Sequence, residues 1–230
     1  KMKTLLSKQE LIDFENEIAD LFNNKTIEAP IHLDQGCEEQ LLEIFKEIDE
    51  TDFICCSWRS HYRALLKNLS PDILKKYILK GCSISICDKE HNIFSSAIVS
   101  GNVSIGLGMA MAYKQNKEKR PDGTDKRVWC FIGEMTSCHG SFFECLTYAE
   151  NFKLPITYIV EDNGKSVKTP TREVIGNNKL PFEPQLFDDD GDTLEDFENG
   201  KVIRSSSHLY WFKYSFEKWQ HSGTNTRIQF

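Results

Sequence analysis

A chain of 230 residues, 40% of them hydrophobic, is long enough to bury one substantial core, which predicts a single α/β domain with extensions rather than two small domains. The formal net charge of -7 excludes the overall basic footprint of a general nucleic-acid binder, so an anionic partner has to be held by local groups. No stretch is apolar over the length a bilayer requires, and the first residues lack a signal-peptide apolar core; the reading is a soluble, cytoplasmic protein with no membrane partner.

The first 50 residues read as a helical segment. Leu11, Phe14, Ile18, Leu21 and Phe22 recur at helical spacing, and "CEEQLLEIFKEIDE" carries Leu41, Leu42, Ile44, Phe45 and Ile48 on a second amphipathic helix. Residues 51–175 read as an α/β core. "DFICC" is a short buried strand ending at "SWRSHYR". Residues 71–79 form a helix with Ser70 as N-cap, Pro71 at the first helical position and Gly81 as the stop. "SISIC" is read as a further short strand. In "SSAIVSGNVSIGLGMAMAYK" small residues and glycines run through a helix that another backbone or a ligand approaches closely. "KQNKEKRPDGTDKR" is a solvated connector with an Asp122-Gly123 turn. The strand "VWCFI", the helix "GSFFECLTYAENF" and the strand "ITYIV" then make a right-handed βαβ unit of a parallel sheet, closed by the loop "EDNGKS".

Residues 176–230 are an acidic loop and an aromatic arm of the same domain. With Gly191 at the sixth position of a calcium loop, Leu186 would be the first, so the EF-hand pattern fails. "VIRSSSHLYWFKYSFEKWQ" is β-prone and reads as an added strand or an arm packing on a partner. Eight cysteines include no CxxC pair and several lie in apolar runs, which suits buried free thiols.

Ligands of open parallel sheets bind outside the carboxyl ends of the strands. Glu134 follows one strand of the βαβ unit and Asp162-Asn163 follows the next, so both project from one sheet edge. A carboxylate oxygen with an amide oxygen is hard-cation chemistry, and magnesium completes such a set with water and phosphate oxygens. The helix start near Gly140 is expected to add partial positive charge. The plain alternative is a loop acid and a turn. No G-x-G-x-x-G follows a strand, and "GLGMAMA" lacks that spacing, which argues against a dinucleotide fold.

"SWRSH", "SSAIVSGNVSIGLGMAMAYK" and "GEMTSCHGSFFECLTYAENFKLPITYIVEDNGKSVKTP" resemble, in collinear order, segments of the alpha subunit of the decarboxylating component of 2-oxoacid dehydrogenases. The resemblance implies a parallel-sheet thiamine-diphosphate-binding fold with helices on both faces. Its cofactors would be thiamine diphosphate and magnesium or calcium. Glu134, Asn163 and the Lys165 carbonyl then stand at the metal positions. Arg59 stands at the diphosphate-binding arginine and Trp58 at a usual Tyr or His. Ala97 and Val99 stand at backbone positions that hold the aminopyrimidine. Gly133, Met135, Thr136, Asn163 and Lys165 complete the cofactor-binding set. His61 matches a histidine beside the reacting centre, with a structural histidine near a strand end as the other reading. The substrate class is a 2-oxoacid or related carbonyl compound.

The partner the resemblance implies is a beta-type subunit carrying the activating glutamate, in a heterotetramer or dimer, without which the chain is inactive. Three departures stand out: Met135 where a small residue is usual, Asp162 in place of the first Asn, and no familiar segment after Thr171. They motivate the alternative of a catalytically silent, cofactor-free scaffold that keeps the fold.

Overall fold

The computed structural model describes residues 6–185, 194–215 and 218–219. The calcium-loop register at 186–193 and the end of the aromatic arm lie outside the described residues.

Helix α1 (Lys8–Asn23) opens with a capping box: Ser7 N–H donates to the Glu10 carboxylate at 2.7 Å, and Glu10 N–H donates back to Ser7 Oγ at 3.3 Å. Its buried stripe is Leu11, Phe14, Ile18 and Phe22. Helix α2 (Glu38–Ile44) stops short of the amphipathic pattern that predicted it. The reason is tertiary. Buried Lys67 donates through Nζ to the carbonyls of Asp49, Glu50 and Asp52, and this turns the chain into strand β1 (Phe53–Cys56). Helices α3 (His61–Leu66) and α4 (Pro71–Leu79) follow; Ser70 precedes Pro71, but its hydroxyl makes no capping bond.

The strand expected over "SISIC" is a correction. Ser85 N–H closes a turn on the Cys82 carbonyl and Ile86 N–H donates to Ser95 Oγ at 2.6 Å, so these residues make no ladder. Only β2 (Cys87–Asp88) remains, as the antiparallel edge of β3 (Ile93–Ser95). Helix α5 (Gly101–Asn116), β4 (Val128–Gly133), the short α6 (Glu134–Ser137), α7 (Gly140–Asn151) and β5 (Ile156–Asp162) build the expected crossover unit. After it come the small hairpin β6 (Lys165–Ser166) and β7 (Thr169–Pro170), helices α8 (Thr171–Ile175) and α9 (Leu194–Glu198), and the hairpin β8 (Ile203–Ser206) and β9 (Leu209–Lys213).

The sheet order is β2-β3-β1-β4-β5-β9-β8. The five inner strands are parallel and both edges are antiparallel. The aromatic arm therefore supplies strands: Trp211 sits opposite Val160 in the β5–β9 ladder. Successive side chains of β4 go to opposite layers. Trp129 and Phe131 pack in the core under α1–α4, whereas Val128, Cys130 and Ile132 pack in the core under α5 and α7. Helices on both faces explain why "VWCFI" is a continuous apolar run rather than an alternating one.

A Cβ built at Gly106 would lie 3.3 Å from Ile156 Cδ1 and 3.6 Å from Cys130 Cβ, so α5 lies directly on the sheet there. Gly106→Leu is expected to destabilise the fold by about 1–3 kcal/mol through overpacking, read as a lower urea midpoint with an unchanged slope. All eight cysteines are free; five are buried and Cys87 is exposed. Among the described residues no helix is long and apolar enough to cross a membrane.

Candidate active site

The chain leaves β1 toward β3 on one side, and then crosses back through α5 to β4, β5 and β9 on the other. The switch point lies between β1 and β4, where a parallel sheet opens a crevice at its carboxyl edge. A cavity of about 100 Å³ occupies that crevice. Trp58 and Arg59 reach it from the end of β1, Val99, Ser100 and Asn102 from the start of α5, Gly133 to Thr136 from the end of β4, and Asn163 and Lys165 from beyond β5.

Local sequence aims the start of α5 at this cavity. Ser100 adopts φ 64°, its hydroxyl meets Ser141 Oγ at 2.5 Å, and Asn102 Nδ2 donates to the Phe131 carbonyl at 2.9 Å. A Cβ at Gly101 would stand 3.0 Å from Ile98 Cβ, so any larger residue there would have to push Ile98 aside where the chain turns into the helix. Gly140, the helix start expected to add partial positive charge, is not among the lining residues, whereas Ser100 and Asn102 at the start of α5 are.

Glu134 is buried and accepts the Thr171 hydroxyl at 2.5 Å. Burial pushes its pKa up to about 7; the Thr171 hydrogen bond works against the rise and the nearby Asp162 adds to it. Asn163 Nδ2 donates to Tyr214 Oη at 3.2 Å, and its Oδ1 accepts from Lys165 N–H at 2.9 Å. Asp162, the residue whose extra negative charge needs a partner, has one: Arg172 donates to it at 2.8 Å.

Beneath the cavity floor lies a buried polar network that sequence reasoning missed. Arg63 on α3 is wholly buried; it donates through Nε to Glu161 at 3.0 Å, and its Nη atoms reach Glu161 and Asp34. Burial opposes the Arg63 charge, yet Asp34 and Glu161 outweigh it and raise the guanidinium pKa above its ordinary value. Glu161 lines the cavity, and burial pushes its carboxyl up to about 7 against the pull of Arg63. Asp34 also accepts from Tyr62 N–H at 3.2 Å, while Asp34 N–H donates to Glu15 on α1 at 3.2 Å. The available signal was the adjacent pair of acids ending an apolar strand, which has to find cations if buried.

The predicted residues divide. Trp58, Arg59, Val99, Gly133, Glu134, Met135, Thr136, Asn163 and Lys165 converge on one cavity. Arg59 is buried and donates to the Leu33 carbonyl. Ala97 is exposed and outside the lining. His61, read as lying beside the reacting centre or as structural, stands at the first position of α3. It is fully buried, with Nδ1 2.9 Å from Glu15 and Nε2 2.9 Å from Ser83 Oγ, and it does not line the cavity.

The residues present fit a metal-bridged anion. Glu134 and Asn163 offer one carboxylate and one amide to the same space. Among the described residues no three His, Cys, Asp or Glu side chains are grouped to cage an ion, so a cation here would have to share its shell with water and phosphate oxygens, as magnesium does. Gly133 has an ordinary φ of -73°, and a Cβ built on it meets nothing within 4 Å. The protein itself does not demand glycine there; a ligand lying over the strand end would.

A model of the family described as "Dehydrogenase E1 component" matches residues 7–179. The chain belongs to the dehydrogenase E1 component family. Among its relatives is a pyruvate dehydrogenase E1 component subunit alpha of Porphyra purpurea, 30% identical over 178 residues, which cover 71% of this chain and 52% of the relative. A chloroplastic pyruvate dehydrogenase E1 component subunit alpha-3 of Arabidopsis thaliana is 28% identical, covering 65% and 37%. The alpha subunit of an acetoin:2,6-dichlorophenolindophenol oxidoreductase of Bacillus subtilis (strain 168) is 25% identical, covering 70% and 50%. The chain thus spans about half the length, or less, of these relatives.

Proposed function

We propose that this member of the E1 family is the diphosphate- and cation-holding half of a thiamine-diphosphate-dependent 2-oxoacid dehydrogenase, an alpha-type chain completed by a beta-type chain in a dimer or heterotetramer. The observation that carries the reading is the meeting of Glu134 and Asn163, from the ends of two adjacent parallel strands, in one cavity at the switch point of the sheet. When bound, thiamine diphosphate supplies the ring that stabilises the carbanion left by decarboxylation.

The tasks of the chain are binding and orientation. Glu134 and Asn163, with the Lys165 carbonyl, hold a magnesium ion. Arg59, fixed by its bond to Leu33, and the start of α5 face the diphosphate; a planar guanidinium suits paired oxygens. Trp58 and Val99 offer apolar surface to the rest of the cofactor. Two features favour a second chain. A cavity of about 100 Å³ is small beside the roughly 300–1,000 Å³ that encloses a ligand by itself. Ile98, Val99 and Val167 at its mouth are exposed apolar side chains, of the kind a partner covers.

Calorimetric titration of thiamine diphosphate into the chain is expected to show saturable binding that needs magnesium and is lost in Glu134→Ala/Asn163→Ala. Binding that persists in that variant, or that ignores magnesium, contradicts the site. Trp58 supplies an optical readout: its fluorescence is expected to be quenched on binding, and Trp58→Phe to remove the signal.

A further inference from the structure

The segment that follows the β6–β7 hairpin has no assigned part in the site, yet it touches both strand-end acids. Thr171 is fully buried. Its hydroxyl donates to Glu134 at 2.5 Å, and its backbone N–H donates to the Gly164 carbonyl at 2.9 Å, inside the turn that carries Asn163. The neighbouring Arg172 reaches Asp162 through both terminal nitrogens, at 2.8 and 3.4 Å, and it is anchored by Nε to the Asn178 carbonyl at 3.0 Å. Asp162 in turn accepts Gly164 N–H at 2.9 Å, so its carboxylate shapes the same turn.

We propose that Thr171 and Arg172 are positioning residues of the cofactor site: Thr171 sets the orientation of the Glu134 carboxylate, and Arg172 cancels the charge of Asp162 so that it does not repel the cofactor's diphosphate. The proposal rests on the cofactor reading above. Two adjacent side chains thereby fix the ends of β4 and β5 relative to each other, which is what a cation bridging Glu134 and Asn163 requires. The charges support it. Arg172 also donates to Glu183 at 2.8 Å, and Lys213, which lies 3.2 Å from Glu183 and pairs with Glu198 as well, brings a second cation to the cluster. Asp162 stands where the resemblance leads one to expect Asn, so Arg172 accounts for how an acid is tolerated there. Outer-sphere groups that orient a metal-binding carboxylate act in this way without touching the ion.

The test is the magnesium concentration that half-saturates thiamine diphosphate binding, measured by calorimetry on the full chain, with circular dichroism and melting temperature as the fold controls. Thr171→Val, which keeps shape and removes the hydroxyl, is expected to raise it by roughly 10–100-fold, and Thr171→Ser to stay within about threefold of the parent. Arg172→Met is expected to weaken binding over the same rough range, and adding Asp162→Asn to it to restore binding. A merely structural role would lower the melting temperature of these variants and leave the magnesium requirement unmoved. That result overturns the proposal, as does failure of Asp162→Asn to rescue folded Arg172→Met. If Arg172→Met does not fold, Arg172→Lys with and without Asp162→Asn makes the same comparison. A parent chain that binds no thiamine diphosphate, either alone or with a beta-type chain added, overturns the cofactor reading itself; a parent that binds, with variants that match it, overturns only this inference.

Discussion

Glu134→Gln is expected to melt at a higher temperature than the parent chain at pH 8 in the absence of divalent ions, and to lose magnesium-dependent binding of thiamine diphosphate. The sign follows from the raised acid. Unfolded, Glu134 titrates near the ordinary value of 4.5; folded, burial takes it to about 7. The folded state therefore holds a proton more tightly than the unfolded state. The stability this group supports is fully present below pH 4.5 and is lost as the pH rises through about 7. Above pH 7 the folded chain carries a buried carboxylate at a cost of about 3 kcal/mol, from 1.36 kcal/mol per unit. Glutamine still accepts the Thr171 hydroxyl and bears no charge. At roughly 2–4 °C per kcal/mol for a chain of this size, the gain is several degrees at pH 8 and close to nothing at pH 4. Equal melting temperatures at pH 8 would show that Glu134 is already balanced by the protein, leaving no deficit for a cation to fill.

The second large effect lies under the cavity. Arg63→Met is expected to cost roughly 3–5 kcal/mol in equilibrium urea unfolding at pH 7, because it strands Asp34 and Glu161 in the interior without their common cation. Methionine fills most of the volume, so packing is not the main term. The loss should shrink at pH 5, where Glu161, whose carboxyl sits at about 7 even with Arg63 present, takes up a proton. A cost below about 1 kcal/mol at pH 7, or one independent of pH, would mean that the two acids find other partners. Because Glu161 lines the cavity and Asp34 bonds to Glu15 on α1, this arginine also couples the N-terminal helix to the site.

The sequence showed which residues meet in the cavity better than it showed how they are held. The strands around "VWCFI" and "ITYIV" were legible because both faces are buried, which forces continuous apolar runs of strand length. Once those two strands are parallel neighbours, Glu134 and Asn163 must share an edge, and the register Gly133 opposite Glu161 delivers that. What stayed hidden depends on contacts distant in sequence. Arg63 meets Glu161 across 98 positions and Asp34 across 29, and nothing local to "SHYRALL" marks it as the centre of a buried network. The strand β3 escaped notice because three residues carry too little periodicity, and the alternation of "SISIC" suggested the wrong segment. His61, whose place beside the reacting centre was implied by the resemblance, has its packing set by contacts distant in sequence. As the first residue of α3 it joins Glu15 and Ser83, outside the cavity lining.

We propose above that this chain holds half of a cofactor site. It is tested most directly by titrating thiamine diphosphate with magnesium into the purified chain, alone and then with a beta-type chain of the same family added. Saturable, magnesium-dependent binding that tightens when the second chain is present is the expected result. Absence of binding under both conditions, confirmed by a second method at several temperatures, would contradict it and favour a scaffold that has kept the fold without the cofactor.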